Sequence, residues 1–549
     1  MQRPWSAQWP KGVPQSINYP NHSLDQVFRL SVKEAGNSNA IFFRNVALTY
    51  GELDKLVNSF GSALQKMGVR KGDRVAIYLP NTPQFVIAYY GILRVGGVVV
   101  TCSPLYKERE VTHILNDSGA ETLILLDKLA SNVQLAEEKT RLKNLITTTI
   151  DDLHGTQANN LADCPSKIFS NAHSRFRNLI TNQSTPKVPD IDPQKDIALL
   201  QYTGGTTGTP KGAMLTHRNL VVNAVQFATW LYMRNKNEAH LAVLPLFHIY
   251  GMTAAMNAPI YTSSSMILIP DPRDTSSIFE AIDRYKPTIL CGVPATYVAL
   301  INNPNFERHR INSIRICISG AAPLPSQVQH RFEELTGARL VEGYGLTEAS
   351  PVTHINPLDE PGKNKPGSIG IPISDTECKI VDLQLGEKTL SALEVGELMI
   401  KGPQVMKGYW NMPDETDQVL KNGWLLTGDI AVMDHDGYFR IVDRKKDMIN
   451  VSGFKVYPHE VEEVLCEHPA IKEAAVVAYV DQDGVEGVKA FVVLNSDHTG
   501  RTSPFDIIAF CSRKLANYKV PSMVEFTDSF PKSPVGKTLR KNLRRQTVS

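Results

Sequence analysis

The run Tyr202-Thr203-Gly204-Gly205-Thr206-Thr207-Gly208-Thr209-Pro210-Lys211-Gly212 gathers glycines, hydroxyls and one lysine into a single short stretch. Glycines let a backbone approach an anion, hydroxyls and amides donate hydrogen bonds to it, and the lysine supplies charge. The apolar run Ile197-Ala198-Leu199-Leu200 comes before it, and Thr216 with a helix-like stretch from Leu220 to Met233 comes after. Strand, glycine-rich loop and helix, in that order, hold phosphate. A Walker loop reads Gly-x-x-x-x-Gly-Lys-Ser/Thr. Lys211 stands between Pro210 and Gly212, so this is a different loop. Gly536-Lys537-Thr538 also fails that pattern, because Pro531 occupies the place of its first glycine. A Gly/Thr-rich segment can equally be a plain linker; a lysine fixed between Pro and Gly, directly after a buried-type strand, argues for the phosphate loop.

Further groups with chemical potential follow. Glu342-Gly343-Tyr344-Gly345-Leu346-Thr347-Glu348 offers close backbone approach, a flat aromatic face for a purine at Tyr344, and an oxygen ligand for Mg²⁺ at Glu348. The same letters also describe a glycine turn opening a helix, with Glu348 in the first turn where the dipole favours it. In Gly423-Trp424-Leu425-Leu426-Thr427-Gly428-Asp429, a carboxylate beside glycine suits acceptance from two ribose hydroxyls, or is an ordinary turn residue. Asp443-Arg444 reads as a surface ion pair of little energetic value. The loop Pro531-Lys532-Ser533-Pro534-Val535-Gly536-Lys537-Thr538-Leu539-Arg540 is stiff at its prolines and permissive at Gly536, so it can present one ammonium accurately or leave it in solvent. His248 lies in the apolar run Leu244-Pro245-Leu246-Phe247-His248-Ile249-Tyr250-Gly251. Small residues after it (Gly251, Ala254, Ala255), with Gly292, leave room for a long chain or simply permit close packing.

The elements that must position these groups alternate from Leu48 onward. Helix-like 51–67 leads to the strand Val75–Leu79, helix-like 82–94 to the strand Val98–Val100. Continuous apolar strands joined by amphipathic helices imply parallel sheet with helices on its faces. The pattern recurs at Leu241–Pro245, Thr288–Cys291, Ile314–Ile318 and Leu340–Glu342. Residues 152–195 are polar and weakly periodic, which predicts a long irregular connection. From about Lys379, short strands and turns (Lys379–Asp382, Gly396–Lys401, Tyr438–Val442) predict a small β subdomain. The charged run Val442-Asp443-Arg444-Lys445-Lys446-Asp447 marks a boundary. Beyond it, Pro458 opens a helix with Val461, Val464 and Leu465 on one face, and Pro469 stops it. Strands Ala474–Val480 and Val488–Leu494 flank the hairpin signal Asp483-Gly484, and a helix near 504–516 and the strand Met523–Phe526 complete an α+β module.

Composition excludes several classes. At 549 residues the chain is too long for one core. Hydrophobic content of 42% and charged content of 21% are those of a globular protein. A net charge of +2 gives no reason to expect nucleic acid as a partner. The basic tail Arg540, Lys541, Arg544 and Arg545 reads as a solvated helix face. The opening residues lack the apolar core of a signal peptide, and the most apolar stretch, Phe85 to Val100, is broken by Arg94 and three glycines, so no transmembrane segment is expected. The C-terminal Gln546-Thr547-Val548-Ser549 is neither a peroxisomal address nor a prenylation box. Seven scattered cysteines (102, 164, 291, 317, 378, 466, 511) suit a reducing, cytoplasmic setting without a disulfide framework or thiolate metal site.

Taken in order, these motifs, with Ser319-Gly320-Ala321-Ala322-Pro323-Leu324 and Gly396-Glu397-Leu398, resemble those of the adenylate-forming family: acyl-CoA synthetases, aryl-CoA ligases, firefly luciferase and peptide-synthetase adenylation domains. The resemblance covers nearly the whole chain. Gly204, where most members carry Ser, and the opening from Pro4-Trp5 to Tyr19-Pro20 look more like the fatty acyl-CoA ligase branch. It implies an α/β fold with a large N-terminal domain, 1–443, of two stacked α/β subdomains plus a small β subdomain, a hinge at 444–446, and a mobile α+β C-terminal domain, 447–549. It implies an AMP-forming ligase that joins a medium- or long-chain fatty acid to CoA through an acyl-adenylate, with ATP, Mg²⁺ and CoA required. A 4-coumarate-type aryl-CoA ligase and an enzyme loading a carrier protein are the alternatives. For the nucleotide it implies Thr203, Gly204, Gly205, Thr206, Thr207, Gly208, Lys211, Glu342, Gly343, Tyr344, Thr347, Asp429, Arg444 and Lys537, with Thr203 and Glu348 on the metal. Lys537 would bridge the acyl carboxylate and the α-phosphate, Lys446 would be the hinge, and His248 would clear a path for the thiol. Tyr250, Gly251, Gly292 and Gly320 would line the acid pocket, and Gly453, Phe454 and Lys455 would meet CoA. Asn450 and Ser452 depart from the aryl-CoA ligase pattern. A monomer or homodimer, with peripheral membrane contact open, completes the expectation.

Overall fold

The computed structural model describes residues 3–153, 172–181, 184–203, 210–309, 311–358, 362–451, 454–480, 486–533 and 536–546. Val98–Thr101 and Thr122–Leu126 are buried at every position, and they lie on either side of Arg74–Tyr78 in one eight-stranded sheet. Strands enclosed on both faces have no solvent side to pattern, which is why they read as continuous apolar runs. The sheet is parallel from Ile197–Thr203 through Val98–Thr101, Arg74–Tyr78, Thr122–Leu126 and Asn144–Thr148 to Ala172–Arg175. A second sheet of nine strands runs parallel through Arg339–Gly345, Ile316–Ser319, Ile289–Gly292, Ala239–Ala242, Ser265–Leu268 and Asn39–Phe43.

The largest apolar core joins these two units, with Val75 and Ile77 of the first beside Met266 and Leu268 of the second. Helix Pro83–Arg94 lies within it and is buried at every residue. Its start is set by Thr82, whose hydroxyl accepts from the Phe85 amide, and by Pro83 at the first helical position. Its end is set by Arg94, buried against Asp25 (Nε to Oδ1, 2.8 Å) and Asp54 (Nη1 to Oδ1, 2.7 Å) of two neighbouring helices. Such a charge is tolerated in a core only when paired.

The β subdomain is a five-stranded antiparallel sheet of Glu377–Val381, Gly396–Lys401, Leu420–Lys421, Trp424–Met433 and Phe439–Arg444. The C-terminal unit contains helices Pro458–Cys466 and Pro504–Ser512 and a sheet of Ile471–Val480, Glu486–Leu494 and Met523–Phe526, as its sequence pattern anticipates. The hairpin signal at 483–484 lies outside the described residues. Among the described residues no helix is long and apolar enough to cross a membrane.

Two expectations are corrected. The glycine-rich loop does not run into a helix: Lys211–Thr216 is a strand antiparallel to Ile197–Thr203, and helix His217–Trp230 starts only after it. Thr216, whose hydroxyl caps that helix by accepting from the Asn219 amide at 3.2 Å, is the true start signal. Residues 152–195 are not irregular throughout, because Ala172–Arg175 adds an edge strand and Phe176–Ile180 a short helix. Pairing with Asn144–Thr148 supplied what local periodicity lacked.

The segment carrying His248 is built by close approach. Helix Ile249–Met252 passes into a π-helical turn, Thr253–Asn257, and then helix Ala258–Tyr261. A Cβ on Gly251 would stand 2.2 Å from the Pro245 carbonyl oxygen. Gly251→Ala must push backbone apart, and we expect it to cost about 1–3 kcal/mol of stability. A lowered denaturant midpoint with an unchanged m-value checks this; an unaltered midpoint contradicts it.

Candidate active site

Asp429 is displayed by a bulge. Glu397 pairs with Ile430 and Met399 with Leu426, so the strand Trp424–Met433 carries extra residues at Thr427-Gly428-Asp429. Bulges bend a strand and re-aim side chains. Gly428 takes the left-handed φ of 72° that the bend requires. The Thr427 hydroxyl donates to the Leu398 carbonyl at 2.8 Å and accepts from the Asp429 amide at 3.1 Å. The buried Glu397 carboxylate accepts from the Gly428 amide (3.1 Å) and from Lys445 Nζ (2.8 Å). The Gly-Glu-Leu motif therefore supports the Thr-Gly-Asp motif.

The Asp429 carboxylate accepts from the Tyr344 hydroxyl at 2.5 Å and lies 3.3 Å from Arg444 Nε. Arg444 is the last residue of its strand and stands in register with Asp429 across the β sheet. Tyr344 is the penultimate residue of the strand Arg339–Gly345, with its ring edge-on to His354. Burial and the Asp429 charge hold its phenol protonated. The Glu342 carboxyl is pushed up to about 8 by burial, so it is neutral near pH 7. Its carbonyl oxygen accepts from Asn356.

Lys537 comes into this field. Its loop is closed by Ser533, whose amide donates to the Lys537 carbonyl (2.7 Å) and whose hydroxyl accepts from the Lys537 amide (3.0 Å). Burial, then the charge of Arg444, lowers its ammonium to about 8, with Lys446 adding to that and Asp429 and Glu348 opposing it. Lys446 is lowered by burial and Arg444. His248 is lowered to about 4 by burial, with Lys537 adding to it. Its Nδ1 accepts from the Tyr250 amide at 3.2 Å, so the neutral ring carries its proton on Nε2.

The loop bearing His248 is pinned by residues that local sequence does not single out. Asn81 donates to the Ala242 and Leu244 carbonyls (2.9 and 2.8 Å) and accepts from the Leu246 amide (2.7 Å). Gln201 donates to the Phe247 carbonyl at 3.1 Å. Tyr250 donates to the Ile318 carbonyl, and its ring is the nearest neighbour of Gly320. Gly292 faces Thr296 and Tyr297, which fits close packing.

Toward the glycine-rich loop, Glu348 Oε1 accepts from the Tyr409 hydroxyl at 2.7 Å. Lys211 Nζ sits 5.2 Å from the Tyr409 ring centroid and pairs with Glu415. Thr203 is in register with Lys211 and donates to its carbonyl at 3.4 Å. Thr347 lies on the turn with Glu348. A cavity of about 340 Å³ opens here, walled by Glu348, Tyr409, Lys421, Thr427, Gly428 and Lys445. None of Tyr250, Gly251, Gly292 and Gly320 lines it. Tyr409 and Glu415 were missed in the sequence because the edge pairing Tyr409↔Ala213 is non-local. Gly204, Gly205, Thr206, Thr207, Gly208 and Gly453 lie outside the described residues. Phe454 and Lys455 are exposed on the C-terminal unit, with Phe454 stacked on Tyr518 at 4.7 Å.

Fixed cations interleaved with oriented carboxylates, next to an aromatic wall, can hold a polyphosphate, a ribose and a base. The chain belongs to the AMP-binding enzyme family: its model matches residues 28–410, and the model of the AMP-binding enzyme C-terminal domain matches 460–537. A long-chain-fatty-acid--CoA ligase of Bacillus subtilis (strain 168) is 43% identical over 555 residues, covering 99% of this chain and 98% of that protein. A 4-coumarate--CoA ligase 1 of Petroselinum crispum is 34% identical, covering 91% and 89%. The crystal structure of ATP-bound MatB from Rhodopseudomonas palustris superposes with a TM-score of 0.83 at 26% identity, covering 96% of this chain and 99% of that one.

The Lys537 ammonium should titrate near pH 8 rather than at the usual lysine value, and Arg444→Gln should raise it. NMR titration of reductively methylated lysines, with Lys537→Arg to assign the signal, measures both. A Lys537 signal titrating above pH 10 would refute the placement.

Proposed function

We propose that this chain is an AMP-forming acid–thiol ligase that converts a medium- or long-chain fatty acid, ATP and CoA to acyl-CoA, AMP and pyrophosphate. The observation carrying this reading is the meeting of Lys537, Arg444 and Lys446 with Asp429 and Glu348 beside His248. A carboxylate repels thiols and has no good leaving group. Attack of its oxygen on the α-phosphorus breaks the bond to the bridging oxygen and releases pyrophosphate. Thiol attack on the resulting acyl-AMP then expels AMP. Charge grows on phosphoryl oxygens in the first step, so positioning and electrostatics do most of the catalysis.

Lys537 would neutralise the reacting centre, Asp429 would accept from the ribose hydroxyls and Tyr344 would stack on the base, with Glu342, Gly343 and Thr347 beside it. Lys211 and the loop amides would hold the β- and γ-phosphates. The Glu348 carboxylate, oriented by Tyr409, and the Thr203 hydroxyl would offer Mg²⁺ the oxygen donors it prefers. A metal held there would screen phosphate charge. His248, neutral and fixed by the Tyr250 amide, would border the path of the thiol. We further propose domains at 1–443 and 447–549 joined by a hinge at 444–446, with Lys446 at the hinge position, Gly453, Phe454 and Lys455 toward CoA, and a cytoplasmic setting.

Lys537→Ala should lower acyl-AMP formation on the order of a hundred-fold or more while leaving ATP binding largely intact. Pyrophosphate exchange and calorimetric ATP titration separate the two, and unimpaired exchange would sink the assignment. The acid is settled by AMP release with ATP, Mg²⁺ and CoA across straight-chain acids from butanoate to octadecanoate, plus 4-coumarate. A maximum among the longer acids is expected. Turnover with 4-coumarate alone would move the reading to the aryl class, and turnover only with a purified carrier protein would move it to carrier loading.

A further inference from the structure

We infer that Glu415 is a built-in competitor for Lys211 that weakens the hold on the terminal phosphates and eases pyrophosphate release; the inference deepens the ligase reading and rests on it. Lys211 Nζ is paired with the Glu415 carboxylate and packs over the Tyr409 ring. Tyr409 in turn donates its hydroxyl to Glu348 at 2.7 Å. The Tyr409 ring therefore has the lysine over its face and the metal-ligand carboxylate at its tip. A polyphosphate spanning Glu348 and Lys211 must run along that ring and reach the ammonium where Glu415 already sits.

The competitor is held in place by hydrogen bonding and strand register. Strand Gly408–Tyr409 pairs with Lys211–Thr216 through Tyr409↔Ala213 and Gly408↔Met214. Thr416, next to Glu415 on helix Pro413–Val419, accepts from the Tyr409 amide at 2.9 Å and donates to the Met412 carbonyl at 2.8 Å. Lysine, tyrosine and glutamate thus form one registered group. The pair lies at the mouth of the site, with side chains 29% and 42% exposed. Thr416 anchors the helix independently of Glu415, and both members of the pair reach solvent, so an amide at 415 leaves Lys211 partly hydrated rather than buried and unpaired. An ammonium cannot give its full charge to a carboxylate and a phosphate at once. Glu415 therefore subtracts from the binding of any ligand that places a phosphate in the β/γ position, whether ATP or pyrophosphate, and leaves AMP, which has only the α-phosphate, untouched.

The test is calorimetric titration of the full-length protein with inorganic pyrophosphate and Mg²⁺, and separately with AMP, for wild type, Glu415→Gln, Lys211→Ala and the double variant. Glu415→Gln should bind pyrophosphate about two- to five-fold more tightly, the range an exposed ion pair commands. Its AMP affinity should not change, and the gain should vanish when Lys211 is also removed. A damaged fold does not produce tighter binding. Unchanged or weaker pyrophosphate binding by Glu415→Gln, the latter marking Glu415 as a metal ligand, overturns the inference. Because the titration needs no acid, failure of the acid panel would overturn the ligase reading without altering this result.

Discussion

The Asp429 carboxylate ties together parts of the chain that must agree before anything can bind. It accepts a phenol from the end of a strand in the nine-stranded sheet, and it faces the guanidinium of Arg444 within its own β sheet. Just beyond Arg444 the chain passes Lys446 and enters the C-terminal unit. A carboxylate this buried is tolerated only with its partners in place. The aromatic wall, the guanidinium and the approach to the C-terminal unit are therefore set by one interaction.

Around it, charges alternate in sign. Burial and the Arg444 charge depress Lys446 and Lys537, and Lys446 depresses Lys537 further, while Asp429 and Glu348 relieve both lysines and hold Arg444 up. A purely cationic pocket would lose its lysine protons near neutral pH, and a purely anionic one would repel phosphate. Interleaving keeps the cations charged at neutral pH while leaving them short of full compensation, so an incoming polyanion supplies what is missing. Groups oriented in advance do not have to reorganise as charge develops.

What the sequence disclosed follows from how local each signal is. The buried strands at 75–79 and 98–100 and the proline-opened helix at 458 are written in neighbouring residues, and the structure has them. Tyr409, Glu415, Asn81 and Gln201 were invisible because each acts through a partner far along the chain: Tyr409 through Glu348 and Asn81 through Leu246. Thr427-Gly428-Asp429 looked like a turn because a bulge and a turn use the same residues, and only the register opposite Glu397 tells them apart. The strand Ala172–Arg175 was missed because edge pairing, rather than its own periodicity, makes it a strand.

The replacement of the expected helix by the strand Lys211–Thr216 changes the physics of the phosphate end. A helix N-terminus attracts anions through its dipole and unsatisfied amides, and that attraction is fixed in strength. A lysine on a strand contributes a full charge whose effective strength depends on what else it touches. Here it touches an aromatic face delivered by an edge strand that seals the sheet and a carboxylate delivered by the helix that follows it. Strand registry makes this tuning possible, since Tyr409 cannot slip by one residue without turning its ring to the other face. A hairpin loop closed by such an edge can therefore hold a polyphosphate through a side-chain charge that neighbouring residues adjust, where a helix terminus would hold it at a strength the backbone sets.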